Sequence, residues 1–381
     1  MKRGVLFQRI WVDQRGMFFR RLCCFVWLVF GWMGVVSEAM AGDPNLPLSP
    51  AQFRERCRSL SGQVQTERSG VVPGVDGWLF LGKEIDHIAK GPFWGPDAKA
   101  TGTASNEAWR DPMPAIRDFA EQLKKSGVHL ILMPVPPKAV VYPDRLWKDV
   151  RVNAKQERLD AVHAEFYSLL RKDGIDILDL TPILLASRQE EDEPLYCQTD
   201  SHWSGRGIQT AAGAAATRIR ERLGEAAKGI VPMKTAESRV TFSGDLARLL
   251  GTAESETRVL RMVSDASGKK LAPDERSNVL ILADSHGLVF HAGGDMHAEG
   301  AGLFEQLSFE LGYPVDLIAV RGSGATPARI NLMRKIQRDP AYLQRKKVVL
   351  WCFSAREFTE SDGWRIVPLG QAAGAGGKSR P

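Results

Sequence analysis

Asn278-Val279-Leu280-Ile281-Leu282-Ala283-Asp284-Ser285-His286-Gly287 is an apolar run that stops abruptly at small and polar residues. It reads as a buried strand ending in a tight turn into a helix. Outward from it, strands alternate with helices. Ile116, Phe119, Ala120 and Leu123 mark a helix over 113–125 that Gly127 stops, and 128–135 then reads as a strand. Leu159, Val162, Phe166 and Leu169 mark a second helix, closed by Gly174 and followed by a strand over 175–180. An Ala-rich helix over 205–223 precedes the Ser285 strand. A helix near 302–311, a strand over 315–320, a helix after Pro327 and a strand over 347–353 follow it. This alternation predicts an α/β fold with a parallel or mostly parallel sheet covered on both faces. Residues 230–277 show no clear period and read as an irregular insertion. Ser285 therefore stands at the carboxyl end of a strand, where open α/β sheets bind their ligands.

Asp200-Ser201-His202-Trp203 supplies the partners a serine needs. In extended chain, residues i and i+2 point to the same side, so the Asp200 carboxylate and His202 imidazole lie side by side. A serine hydroxyl is a weak nucleophile until a base takes its proton. His202 is the candidate base and Asp200 its orienting carboxylate, with Ser285 as nucleophile. Each part has a plainer reading: Asp-x-His alone is more often a polar turn, and Ser285 alone equally suits a helix N-cap. Trp203 can wall the site against water. For an oxyanion hole the Ser285 N–H is one donor, and Arg321 or Gly322 of Arg321-Gly-Ser-Gly-Ala325 is a second candidate. The alternative there is a simple glycine-rich turn. Arg356 is a substrate-binding candidate or, more plainly, part of a surface salt bridge.

Other chemistries find less support. His286, His291, Asp295 and His297 cluster in sequence, but spacings of five and six between the histidines do not match a His-Glu-x-x-His zinc pair. No P-loop and no dinucleotide fingerprint is present. Neither a metal nor another cofactor is expected. Residues 1–41 carry six of the 51 basic side chains and two of the 45 acidic ones, so the net charge of +6 falls to +2 over the rest. A nucleic-acid partner thereby loses its compositional support.

That first segment reads as an export signal. Arg15, Arg20 and Arg21 precede an apolar stretch from Leu22 to about Val36, and Ala39-Met40-Ala41 offers a cleavage site. The stretch is short against the ~20 residues of a membrane span, although a retained signal anchor is the alternative. Both place the body of the protein in the periplasm. Cys23 and Cys24 leave with the signal. Of the remaining cysteines, Cys57 and Cys197 are expected to form a disulfide that braces the Asp-x-His segment, and Cys352 to be a buried thiol. Residues 42–71 form an N-terminal segment, 72–368 the main domain and 369–381 a flexible tail.

Several stretches together resemble the alginate O-acetyltransferase AlgJ/AlgX family. They are Gly74-Val-Asp-Gly-Trp-Leu-Phe80, Pro134-Val-Pro-Pro-Lys-Ala-Val-Val-Tyr-Pro-Asp144, Thr199-Asp-Ser-His-Trp203 and Ala283-Asp-Ser-His286. The likeness spans roughly residues 72–358 and is nearer the single-domain AlgJ type, because little chain follows 358 for an AlgX-type carbohydrate-binding module. It implies an SGNH-hydrolase-like three-layer α/β/α fold with irregular insertions, and an Asp200–His202–Ser285 triad in an order permuted relative to ordinary SGNH hydrolases. It further implies O-acetylation of a secreted polysaccharide, with a membrane-bound O-acyltransferase as acetyl-donor partner. A carbohydrate acetylesterase and a non-catalytic polysaccharide-binding protein are the competing functions.

Overall fold

The computed structural model describes residues 47–64, 69–152, 157–188, 193–224 and 230–370. Residues 1–46, which include the segment read as an export signal with Cys23 and Cys24, and residues 371–381 lie outside them. Among the described residues no helix is long and apolar enough to cross a membrane.

Among the described residues nine strands occur in chain order: β1 (Val71–Pro73), β2 (Leu79–Leu81), β3 (His129–Val135), β4 (Asp176–Ile177), β5 (Met233–Phe242), β6 (Glu256–Asp265), β7 (Val279–Ala283), β8 (Asp316–Ala319) and β9 (Val348–Ser354). Five of them form one sheet in the order β4-β3-β9-β7-β8, and each neighbouring pair is parallel. β7 and β9 are buried along their whole length, the signature of strands covered on both faces. Alternate residues face opposite layers. Ile281, Ala283, Leu350 and Cys352 pack with the helices Gly205–Leu223 and Leu303–Leu311. Leu280, Leu282, Val349 and Trp351 pack with Pro112–Lys125, Ala161–Lys172 and Thr326–Arg338. The result is the expected three-layer α/β/α arrangement.

Local chemistry sets the helix ends. Asp111 caps Pro112–Lys125 by accepting the Met113 N–H at 2.9 Å, Pro112 opens the first turn and Lys124 and Lys125 close the last. Ser204 caps Gly205–Leu223 by accepting from Gly207.

Three expectations are corrected. Residues 230–277 are not irregular: β5 and β6 form an antiparallel ribbon ten residues long, with the helix Asp245–Leu250 at its tip. Most of β5 faces solvent, so no apolar alternation announced it. The tail does not begin at 369, because Leu369 is buried and donates its N–H to Gln122. Cys57 and Cys197 are free buried thiols rather than a disulfide. Cys57 sits in the core on Pro50–Val64, and the Cys197 thiol donates to the Trp203 carbonyl at 3.5 Å. Burial pushes both thiols up, away from the reactive thiolate form. Cys352 is a buried free thiol, as expected.

In the sheet, β3 leads on to its neighbour β4, and β7 leads the other way to β8, with β9 between the two pairs. The carboxyl ends of β3, β9 and β7 thus converge where the connections diverge, the position at which open α/β sheets form their ligand crevice.

Candidate active site

β7 ends at Ala283, and Asp284 organises the turn that follows. One carboxylate oxygen of Asp284 accepts the His286 N–H (2.8 Å) and caps the single 3-10 turn Ser285–Gly287. The other accepts the Ser354 N–H (2.8 Å) and ties the end of β7 to the end of β9. The cap role that the sequence allowed for Ser285 therefore falls to Asp284, and the Ser285 hydroxyl lies 2.8 Å from His202 Nε2.

His202 and Asp200 reach it from a loop closed by an isolated bridge between Tyr196 and Trp203. The chain there bends rather than extends. Asp200 Oδ1 accepts both the His202 N–H (2.9 Å) and its Nδ1–H (2.6 Å), a local side-chain turn that aspartate favours. The two side chains are thus neighbours, as the spacing predicts, through a turn rather than a strand. Asp200 Oδ2 accepts from His297 Nε2 (2.8 Å) and from the Asp245 N–H (2.7 Å). Asp200 is fully buried, whereas Ser285 and His202 keep 7 % and 6 % of their surface exposed, so access is through the hydroxyl and the imidazole.

The loop is held from several sides. Lys138, just beyond β3, is buried and donates Nζ to the carbonyls of Leu79 (2.6 Å), Gln198 (3.1 Å) and Asp200 (3.1 Å). Burial draws its pKa down to about 8. Glu256 at the start of β6 accepts the Gln198 and Thr199 N–H groups and the Thr199 hydroxyl. Asp245 accepts the Ser201 N–H and hydroxyl. Gly244 lies against the loop so closely that a Cβ would stand 2.1 Å from the Thr199 carbonyl oxygen and 2.6 Å from the Asp200 nitrogen. Gly244→Ala is expected to displace the loop and cost about 1–3 kcal/mol through overpacking. A melting curve should fall by several degrees, and turnover of p-nitrophenyl acetate should drop with it. Unchanged melting and turnover would show that the ribbon yields freely.

Charge sets the protonation states. Burial opposes ionisation of Asp200, yet the two imidazoles that donate to it hold its pKa well below the usual carboxylate range. Burial also pulls His202 down, but the Asp200 carboxylate outweighs it and raises the imidazole to about 9. A base works only when neutral, and a raised pKa keeps His202 protonated to higher pH. In the free protein, kcat/KM for p-nitrophenyl acetate is therefore expected to climb with pH up to about 9. A profile already flat above neutral pH would contradict this.

The other candidates are placed elsewhere. Trp203 is fully buried, donates Nε1–H to the His286 carbonyl (3.1 Å) and meets the His286 ring edge-on at 5.4 Å. The Arg321 guanidinium pairs with Asp295 at the surface (2.7 and 2.9 Å). Gly322 is a left-handed turn residue (φ 90°) with open space around it. It is Gly324 that abuts Asp284, where a Cβ would lie 2.9 Å from the Asp284 Cβ. Arg356 is mostly buried with Nη1 3.7 Å from Glu84 and without a hydrogen-bond partner, so it is not part of a surface bridge. The histidine cluster disperses: His286 bonds Asp284, His291 bonds Glu305 and His297 bonds Asp200. Asp200, His202 and Asp245 bring metal-ligand atoms within 4.8 Å of one another. Their hydrogen bonds to one another, to Ser201 and to Ser285 already account for this grouping. Sequence reasoning missed Lys138, Glu256 and Asp245. Only Lys138 carried a signal, as the charged residue within the Pro134–Asp144 stretch.

The family described as SGNH hydrolase-like domain, acetyltransferase AlgX, matches residues 71–355. The chain belongs to this family. A probable alginate O-acetylase AlgJ of Pseudomonas aeruginosa is 31% identical over 186 residues, which cover 48% of this chain and 41% of that protein. The Pseudomonas syringae pv. tomato counterpart is 28% identical over 48% of this chain and 42% of that protein. The chain thus matches less than half the length of these relatives. Among solved structures, the O-acetyltransferase domain of Pseudomonas putida AlgJ superposes with a TM-score of 0.56 at 21% identity, covering 76% of this chain and 92% of that one. Pseudomonas aeruginosa AlgX gives 0.54 at 16% identity, covering 78% and 65%. These likenesses carry the fold.

Proposed function

We propose that this chain is an O-acetyltransferase that carries acetyl on Ser285 and delivers it to hydroxyls of a secreted polysaccharide. The supporting observation is the hydrogen-bonded line from Asp200 through His202 to the Ser285 hydroxyl at the carboxyl end of β7. His202 Nε2 takes the Ser285 proton as Oγ attacks the acetyl carbonyl of the donor. The oxyanion that forms is met by the Ser285 N–H, at the start of a 3-10 turn where amides lack intrahelical partners. Collapse breaks the donor's acyl–oxygen bond, and His202 returns its proton to the leaving oxygen. A sugar hydroxyl then repeats the sequence on the acetyl-serine, and the Ser285 hydroxyl is restored. Asp200 stays ionised and steadies the imidazolium in both halves.

The family and its relatives named as alginate O-acetylases support alginate or a similar exopolysaccharide as acceptor. The export signal read at 1–41 supports a periplasmic site of action, and the acetyl groups are proposed to come from a membrane-bound O-acyltransferase. The test is incubation with p-nitrophenyl acetate and alginate oligosaccharides, with products resolved by mass spectrometry. Acetylated sugar is expected. Free acetate alone would make the protein an esterase, and failure of a fluorophosphonate to label Ser285 would remove the catalytic reading.

A further inference from the structure

Asp200 receives two imidazoles, and only one of them belongs to the line that reaches Ser285. We infer that His297 is a positioning residue for acyl transfer: its Nε2–H fixes the Asp200 carboxylate so that Oδ1 addresses His202. This rests on the Ser285–His202–Asp200 reading above. An ionised carboxylate only accepts hydrogen bonds, so His297 must be the donor in the 2.8 Å contact to Oδ2. The contact is shielded, with the His297 side chain 3% and the Asp200 side chain 1% exposed. Hydrogen bonds to a charged group in such surroundings are stronger than neutral ones.

The chain goes to some length to put this ring there. His297 has φ 71°, in the left-handed region that a side chain enters at a cost. It follows the short 3-10 turn Gly294–Met296, entered through Gly293 and Gly294, both of which also have positive φ. Paired backbone bonds close this loop: Phe290 N to Met296 O, Gly293 N to Ala298 O and Ala301 N to Phe290 O. The ring stacks on Phe242, the last residue of β5, with centroids 4.1 Å apart and planes inclined by 20°. Two residues further on, Gly244 and Asp245 meet the Asp200 loop. The β5–β6 ribbon and the 293–301 loop therefore converge on the carboxylate oxygen that faces away from His202. Without the Nε2–H, Oδ2 keeps one donor, the Asp245 amide, and the carboxylate gains freedom to rotate about its Cβ–Cγ bond.

The test separates donation from space filling. His297→Phe keeps an aromatic ring for the Phe242 stack and removes the donor, whereas His297→Gln keeps an N–H at about the reach of Nε2. With p-nitrophenyl acetate as acetyl donor and the 381-residue chain, His297→Phe is expected to lower kcat by about 10- to 100-fold at nearly unchanged KM. Fluorophosphonate labelling of Ser285 should slow in parallel. His297→Gln should recover most of kcat, and the downfield proton resonance of the His202 Nδ1–H should be sharp in wild type and Gln but broadened or shifted in Phe. Wild-type kcat and resonance in His297→Phe would overturn the assignment. So would equal damage in Gln and Phe, which would mark the residue as packing only. If instead Ser285→Ala retains wild-type turnover, the underlying Ser285–His202–Asp200 reading fails, and that result does not depend on the His297 variants.

Discussion

Ser285→Ala is expected to lower acetyl transfer by ~10⁴-fold or more and to leave the fold intact. The hydroxyl is the group at which a new acyl bond would form, so its loss removes the reaction path rather than weakening a contact. The structure around it does not depend on that oxygen. The turn is capped by Asp284, and the Ser285 carbonyl, which remains in alanine, receives the N–H groups of Leu288 and Val289. Melting should stay near wild type, and mass spectrometry should show no acetyl adduct after incubation with p-nitrophenyl acetate. Turnover close to wild type in a folded Ser285→Ala protein would end the nucleophile assignment.

Asp200→Asn should cost about as much, ~10⁴-fold in kcat, by a different route. Asp200 accepts from the His202 N–H, the His202 Nδ1–H, the Asp245 N–H and His297 Nε2. An asparagine offers one acceptor oxygen, and its NH2 must face one side of this set. Turned toward His202, it requires a bare Nδ1, which puts the ring proton on Nε2 and leaves no base for Ser285. Turned toward Asp245 and His297, it sets buried donors against each other, at about 1–3 kcal/mol for a polar group left unpaired. Either way the charge that raises His202 to about 9 is gone. The surviving activity should show an acid limb shifted to lower pH. His202→Ala should be at least as damaging. An Asp200→Asn protein with wild-type kcat and an unmoved limb would show that the carboxylate orients nothing.

Sequence alone carried the fold class, because full burial of a parallel strand requires an unbroken apolar run. The stretches at 130–135, 279–283 and 348–353 are such runs. It also carried the pairing of Asp200 with His202, since two residues of separation keep them close in a turn as in a strand, and the family, since the four motif stretches lie within the matched 71–355. It could not carry contacts made across long separations by polar residues with no periodicity. Asp245, Glu256 and His297 meet the Asp200 loop from 45, 57 and 97 residues away. The exposed face of β5 hid the ribbon that delivers the first two. The Cys57–Cys197 disulfide failed for the same reason: a shared compartment and a suggestive position do not determine which side chains meet. Which oxygen of Asp200 each donor reaches was likewise decided only in three dimensions. There the bend at 198–202, the close approach of Gly244 and the left-handed backbone at His297 bring four donors onto one buried carboxylate.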